Sequence, residues 1–151
     1  MYVFLGGTVG YNTWRDQFVK DLVAAGVPED KIFNPVTKEW NAEAQATEEK
    51  WKAEAETLLF VLANPYQAGL SLSAYSMVEA TMALYDRPDR TVVVFDNREL
   101  TGHALKAQQQ AEKVLRKRFP QGFIFSNMEE AVAFYKEHYG WTGENQDQAV
   151  S

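Results

Sequence analysis

The chain of 151 residues has no cysteine. Disulfides, thiolate nucleophiles and cysteine-ligated metals are therefore excluded, and a reducing, cytoplasmic setting is expected. Histidine is scarce: only His103 and His138 are present. They lie far apart, without the acid–histidine spacing of a metal site, and no Ser–His–Asp set can be assigned. Both are expected at the surface, with His103 near enough to a strand-end loop to touch a ligand. No metal and no cofactor is expected. No apolar run approaches the length that spans a bilayer, and the opening MYVFLGG lacks the basic and long apolar regions of a signal peptide. Basic residues are also in the minority, leaving a formal net charge of -6. An acidic surface repels a phosphate backbone, so no nucleic-acid polymer is expected as a partner. The one basic stretch, Lys113 with Arg116, Lys117 and Arg118, is expected to be a solvated helix end, where cations suit the helix dipole.

What is present is a strong alternation of patterns. Tyr2 to Leu5 forms a short apolar strand that Gly6 and Gly7 are expected to break. Thr13 to Ala25 has helical apolar spacing at Trp14, Phe18, Leu22 and Val23, with Thr13 as cap and Gly26 as stop. Lys31 to Asn34 is a second strand, closed by Pro35. Asn41 to Glu56 is a polar helix. Thr57 to Ala63 is apolar almost throughout, as in a parallel sheet covered on both faces. Ser73 to Tyr85 is a helix expected to turn Met77, Val78, Thr81 and Leu84 inward. Thr91 to Phe95 is a β-branched central strand. Helix Leu100 to Arg118, strand Gly122 to Phe125 and helix Met128 to His138, capped by Asn127 and packed through Ala131 and Phe134, complete the series. The segment from Gly140 is polar apart from Trp141 and is expected to be loose. The chain thus divides into a domain over 1–139 and a tail over 140–151.

Five strand–helix alternations with right-handed crossovers predict an α/β protein: a flavodoxin-like three-layer sandwich around a five-stranded parallel sheet. In such sheets ligands bind at the carboxyl ends of the strands, where the strand order reverses. Four loops lie there, the last running from Asp96 to Gly102. GGTVGYNTWR offers Gly6, Gly7, Thr8 and Arg15 for an anion or sugar, with a tight turn as the plain alternative. It lacks the GK[ST] of a Walker A loop and the spacing of a dinucleotide fingerprint. NPVTKEW offers Asn34 and Trp40, whose ring could stack on a base or simply cover core. Asn64 opens the third loop. The polar helix carries Glu48, Glu49, Glu54 and Glu56, mostly a solvated face, although Glu48 or Glu49 could point into a pocket. Trp14, Trp51 and Phe60 are expected in the core.

The sharpest feature is NPYQAGLSLSAYSMVEA, Asn64 to Ala80. Glu79 is the only acid between Thr57 and Tyr85, and a carboxylate on a mostly apolar helix needs a partner or a pocket. Tyr75, one turn earlier, could hold it, with Ser71, Ser73 and Ser76 close by.

Taken in order, VFLGGT, the FNP segment leading to Trp40, and LLFVL followed by SAYSMVEA resemble the nucleoside 2-deoxyribosyltransferase family. The likeness is to its short bacterial and phage-type members and covers roughly the first two-thirds of the chain. The resemblance implies chemistry at the N-glycosidic bond of a 2'-deoxynucleoside or its 5'-monophosphate. Glu79 would be the nucleophile, Glu48 or Glu49 would handle the departing base, and Gly6, Gly7 and Thr8 would contact the sugar or its phosphate. It also implies a homo-oligomer that completes its own pocket. Ser73 stands where the family's transferases have an aspartate, six residues before the glutamate. Its monophosphate hydrolases have a serine in this region that contacts the 5'-phosphate. Ala80 and Thr81 stand where a glycine is usual. Alternatives are a non-catalytic nucleotide or nucleotide-sugar binding domain and a flavodoxin-type carrier.

Overall fold

The computed structural model describes residues 3–8, 12–34, 41–67 and 74–138. Trp40, Ser73, part of the first loop and the segment 140–151 lie outside them. The elements in chain order are β1 (Val3–Gly7), α1 (Trp14–Ala24), a 3-10 turn (Glu29–Lys31), β2 (Ile32–Phe33), α2 (Ala42–Glu54) and β3 (Thr57–Leu62). They continue with α3 (Ala74–Asp86), β4 (Thr91–Phe95), α4 (Gly102–Arg118), β5 (Phe123–Phe125) and α5 (Met128–His138). The strands form one sheet in the order β2-β1-β3-β4-β5, parallel at every pairing. This is the flavodoxin-like sandwich that the alternation predicts. Strand order reverses between β1 and β3, so the carboxyl ends of these two strands flank the crevice where such folds bind ligands.

The period-two alternation of the strands divides the core in two. Val3, Leu5, Leu59, Val61, Val92 and Val94 face Trp14, Phe18 and Leu22 of α1 and Ala131, Phe134 and Tyr135 of α5. Phe4, Leu58, Phe60, Leu62, Val93 and Phe95 face Trp51 of α2, Ala80, Ala83 and Leu84 of α3, and Leu115 of α4. All six residues of β3 are buried. Each large apolar side chain removed from water contributes about 1.5–3 kcal/mol, so the central strands carry much of the stability.

Three local expectations change. Gly6 and Gly7 do not break β1 but end it, paired with Phe60 and Val61. Gly7 has φ +120, and a Cβ there would lie 2.1 Å from the Val61 carbonyl oxygen, so only glycine lets β1 close on β3 at this point. The start of α1 is not capped by the Thr13 side chain; Asn12 Oδ1 accepts from the Trp14 N–H at 3.0 Å instead. On α3 the buried residues are Ser76, Ala80, Ala83 and Leu84, while Val78 faces outward. This helix is apolar on nearly every side, so periodicity alone cannot select its inner face. The cap expected from Asn127 is present, its Oδ1 accepting from Glu130 N–H at 2.8 Å. Asn41 caps α2 in the same way, its Oδ1 accepting from Ala44 N–H at 2.8 Å.

Candidate functional site

The reversal point is built from the ends of β1 and β3. Thr8, just past β1, is buried. Its hydroxyl accepts from the Ala63 N–H at 2.9 Å and donates to the Ala63 carbonyl at 3.1 Å, extending the β1–β3 ladder by one side-chain step. Arg15 reaches the same place from the first turn of α1. Its Nε donates to the Leu5 carbonyl at 3.3 Å, Nη1 to that of Thr8 at 2.7 Å and Nη2 to that of Gly7 at 3.0 Å. Trp14 Nε1 also donates to the Thr8 carbonyl, at 2.9 Å. Arg15 therefore clamps the end of β1, and these three donors are engaged with backbone carbonyls rather than offered as an open fork. Burial lowers its pKa to about 10, partly offset by the nearby charges of Glu48 and Asp16. Asn64 folds the β3 loop: its Oδ1 accepts from the Tyr66 N–H at 2.9 Å, and its carbonyl accepts from Asn12 Nδ2 at 2.8 Å. Asn34 is exposed just past β2.

A charged cluster lies between α2 and α3. Glu79 is on the second turn of α3, where the inner neighbours Ser76, Ala80 and Ala83 are small, and its side chain is 15% exposed. Its partner is Lys52 of α2, with Nζ 2.6 Å from Oε2. Lys52 stands four residues after Glu48, so the two share one face of α2. Stacking fixes that face: Trp51 lies on Phe33 with ring centroids 5.3 Å apart, and Phe33 on Phe4 at 5.8 Å. From the far end of α3, Arg87 donates to the Lys52 and Ala53 carbonyls at 3.1 and 3.2 Å, tying the end of α2 to that of α3.

Three charges are coupled here. Burial, and then the negative charge of Glu79, raise the Glu48 carboxyl pKa, while Lys52 and Arg15 pull it back. Burial would lower the Lys52 pKa, but its hydrogen bond to Glu79 and the charge of Glu79 outweigh this and raise it. Of the expected catalytic group, the fold thus brings Glu48 and Glu79 together, with Arg15 within electrostatic reach of Glu48. Glu49 is exposed on the rim of a cleft of about 260 Å³ between α2 and α3, which Lys52, Glu79, Phe60 and Met82 also line. Tyr75 is 75% exposed on the outer face of α3, and the hydrogen bond expected of it to Glu79 is made by Lys52.

A larger cleft of about 340 Å³ lies on the opposite face, lined by Trp14, Phe18, Asp21, Arg98, Met128 and Glu129 among others. Its one cation, Arg98, is already held by Asp96 through a 2.6 Å ion pair, and the cleft lies away from the coupled carboxylates. The smaller cleft is therefore the chemically richer one. Lys52 is the residue that sequence reasoning missed, and its signal was the four-residue spacing from Glu48. Asp96, which opens the fourth of the expected strand-end loops, is buried directly after TVVVF at the carboxyl end of β4. Among the described residues, no group of His, Asp and Glu is placed to hold a metal ion, and no helix is long and apolar enough to cross a membrane. Compared with protein-family models, with curated proteins and with solved structures, the chain matches none.

Proposed function

We propose that this chain cleaves or transfers at the N-glycosidic bond of a 2'-deoxynucleoside or 2'-deoxynucleoside 5'-monophosphate. The observation that carries this reading is the pairing of two carboxylates in different settings. Glu79 is held by a cation, and Glu48 has its proton affinity raised by burial and by Glu79 itself. In the proposed first step a Glu79 carboxylate oxygen attacks C1' of the sugar. The C1'–N bond breaks, its electron pair leaves with the base, and Glu48 donates the proton that the base nitrogen takes up. In the second step water or a second base attacks C1', the Glu79–C1' bond breaks, and Glu48 recovers the proton. Lys52 orients Glu79 for the first step and balances its charge when it is released in the second. On the resemblance, Gly6, Gly7 and Thr8 at the end of β1 would contact the sugar or its phosphate, and Asn34 and Asn64 belong to the loops at the same edge of the sheet. Trp40, as a ring on which a base could stack, and Ser73, on the resemblance, remain expected contributors. A homo-oligomer in the cytoplasm belongs to the same reading.

A second reading, non-catalytic nucleotide binding, is favoured by Lys52 itself, because a cation on Glu79 competes with attack on a sugar. Chromatography separates the two. Wild type and Glu79→Ala are each incubated with deoxynucleosides and their monophosphates, with and without a second free base. Base release or exchange that disappears in the variant is expected. Calorimetric binding without any turnover by folded wild type would refute the catalytic reading and leave the binding one.

A further inference from the structure

We propose that the larger cleft, between α1 and α5, binds a small organic cation: an amine carried on an aromatic or short aliphatic body. Its volume of about 340 Å³ falls within the range of small-molecule sites. Its position suits a ligand as well. Trp14 opens α1 after β1, Arg98 follows β4, and Met128 opens α5 after β5. The cleft therefore reaches the carboxyl edge of the sheet, where folds of this kind bind ligands.

The lining changes character with depth. Trp14 and Phe18 are buried, Met128 and Val132 half-buried, and Arg98 and Glu129 exposed. Apolar surface thus lies deep in the cleft and charge toward its mouth, the arrangement that takes an apolar body with a polar end. The sign of that end follows from the charges. Asp96 holds the Arg98 guanidinium through three hydrogen bonds of 2.6 to 3.1 Å, so these two cancel and an anion finds no open partner. Asp21 and Glu129 remain. Among the described residues, neither has a cationic nitrogen within 4.0 Å. Glu129 lies within electrostatic reach of Arg98, which Asp96 already neutralises. Asp21 accepts from Gln17 Nε2 at 3.0 Å, a neutral amide that leaves its charge unbalanced. Glu129 also suits the start of α5 through the helix dipole, so Asp21, further along α1, is the more telling of the two. Two unbalanced carboxylates above an apolar floor select a cation with an apolar body.

The cleft also touches the end of β1. Trp14, part of its lining, donates from Nε1 to the Thr8 carbonyl at 2.9 Å. The indole N–H of Trp14 therefore reports occupancy of the cleft from the strand end itself. The inference does not rest on the chemistry at Glu79.

NMR titration of the whole chain tests it, following the Trp14 indole N–H and the Met128 methyl. The ligands are phenethylamine, the neutral 2-phenylethanol and the anionic 3-phenylpropionate. Phenethylamine is expected to shift both signals with roughly millimolar affinity, and more weakly as salt is raised. 2-Phenylethanol is expected to bind several-fold more weakly and 3-phenylpropionate not at all. Asp21→Asn combined with Glu129→Gln is expected to lower the amine affinity on the order of tenfold and to leave that of the alcohol unchanged. Glu137→Gln, at an exposed acid of α5 outside the cleft, is expected to bind as wild type does. An amine that shifts neither signal, or that binds wild type no better than the alcohol, would overturn the proposal. So would a double variant that keeps the wild-type preference for the amine. The comparison of the three ligands on wild type decides the charge preference independently of any variant.

Discussion

The two helical layers of this protein solve the same packing problem and end differently. On the α1–α5 side, Phe18 meets Tyr135 edge to face with centroids 5.9 Å apart, and the buried Tyr135 hydroxyl shares a 2.8 Å hydrogen bond with Thr57. The large side chains that this layer turns to the sheet are covered and its buried polar groups are paired. On the α2–α3–α4 side the sheet is covered equally well, but the layer keeps two things that a stable monomer does not need. One is a coupled Glu48–Glu79–Lys52 group set partly out of water, and the other is an apolar seam facing away from the sheet. Burial that serves only the fold favours the first arrangement. Charges with shifted proton affinity and an uncovered apolar row carry a cost that function can explain.

The largest expected effect sharpens this contrast on the closed side. Phe18→Ala is expected to lose about 3–5 kcal/mol by denaturant unfolding, since the ring is buried in the α1–α5 core and the space cannot refill. Lys52→Met acts on the open side and is expected to cost less, about 1–2 kcal/mol, because the Glu79 pair is partly solvated. Glu79→Gln introduced into Lys52→Met is expected to recover part of that loss. A larger loss in the double variant would show that the pair is ordinary packing and would erase the difference between the layers.

The smallest effect has an informative sign. The folded chain raises the Glu48 pKa, so the stability that this group contributes is fully present below its unfolded pKa. It is lost as pH rises through the folded value. Glu48→Gln is therefore expected to melt slightly higher than wild type at neutral pH and to show a shallower decline in melting temperature across the carboxylate range. A lower melt at neutral pH would mean that the site favours the ionised group, contrary to the coupling described.

Much of the architecture was legible in the chain. TLLFVL and TVVVF could only be covered strands, and the Asn41 and Asn127 caps mark helix starts to within a residue. What misled was local ambiguity. GlyGly looks like a break, yet the close approach of Val61 makes the pair part of the ladder. SAYSMVEATMALY is apolar in every direction, so its inner face depends on which neighbours arrive. The site was half legible. Glu79 stood out as a lone acid among apolar residues, whereas the partners of Arg15 are backbone carbonyls, which carry no sequence signal.

The sequence by itself determined the strand–helix alternation, the parallel sheet and the acids worth watching, because periodicity and propensity act over short stretches of chain. Only the tertiary structure decided that Lys52 meets Glu79 across 27 residues, that Arg15 closes over the end of β1, and that one apolar side of α3 faces the sheet and the other faces water. Those outcomes depend on which surfaces the crossovers bring together, and that information is spread over the whole chain.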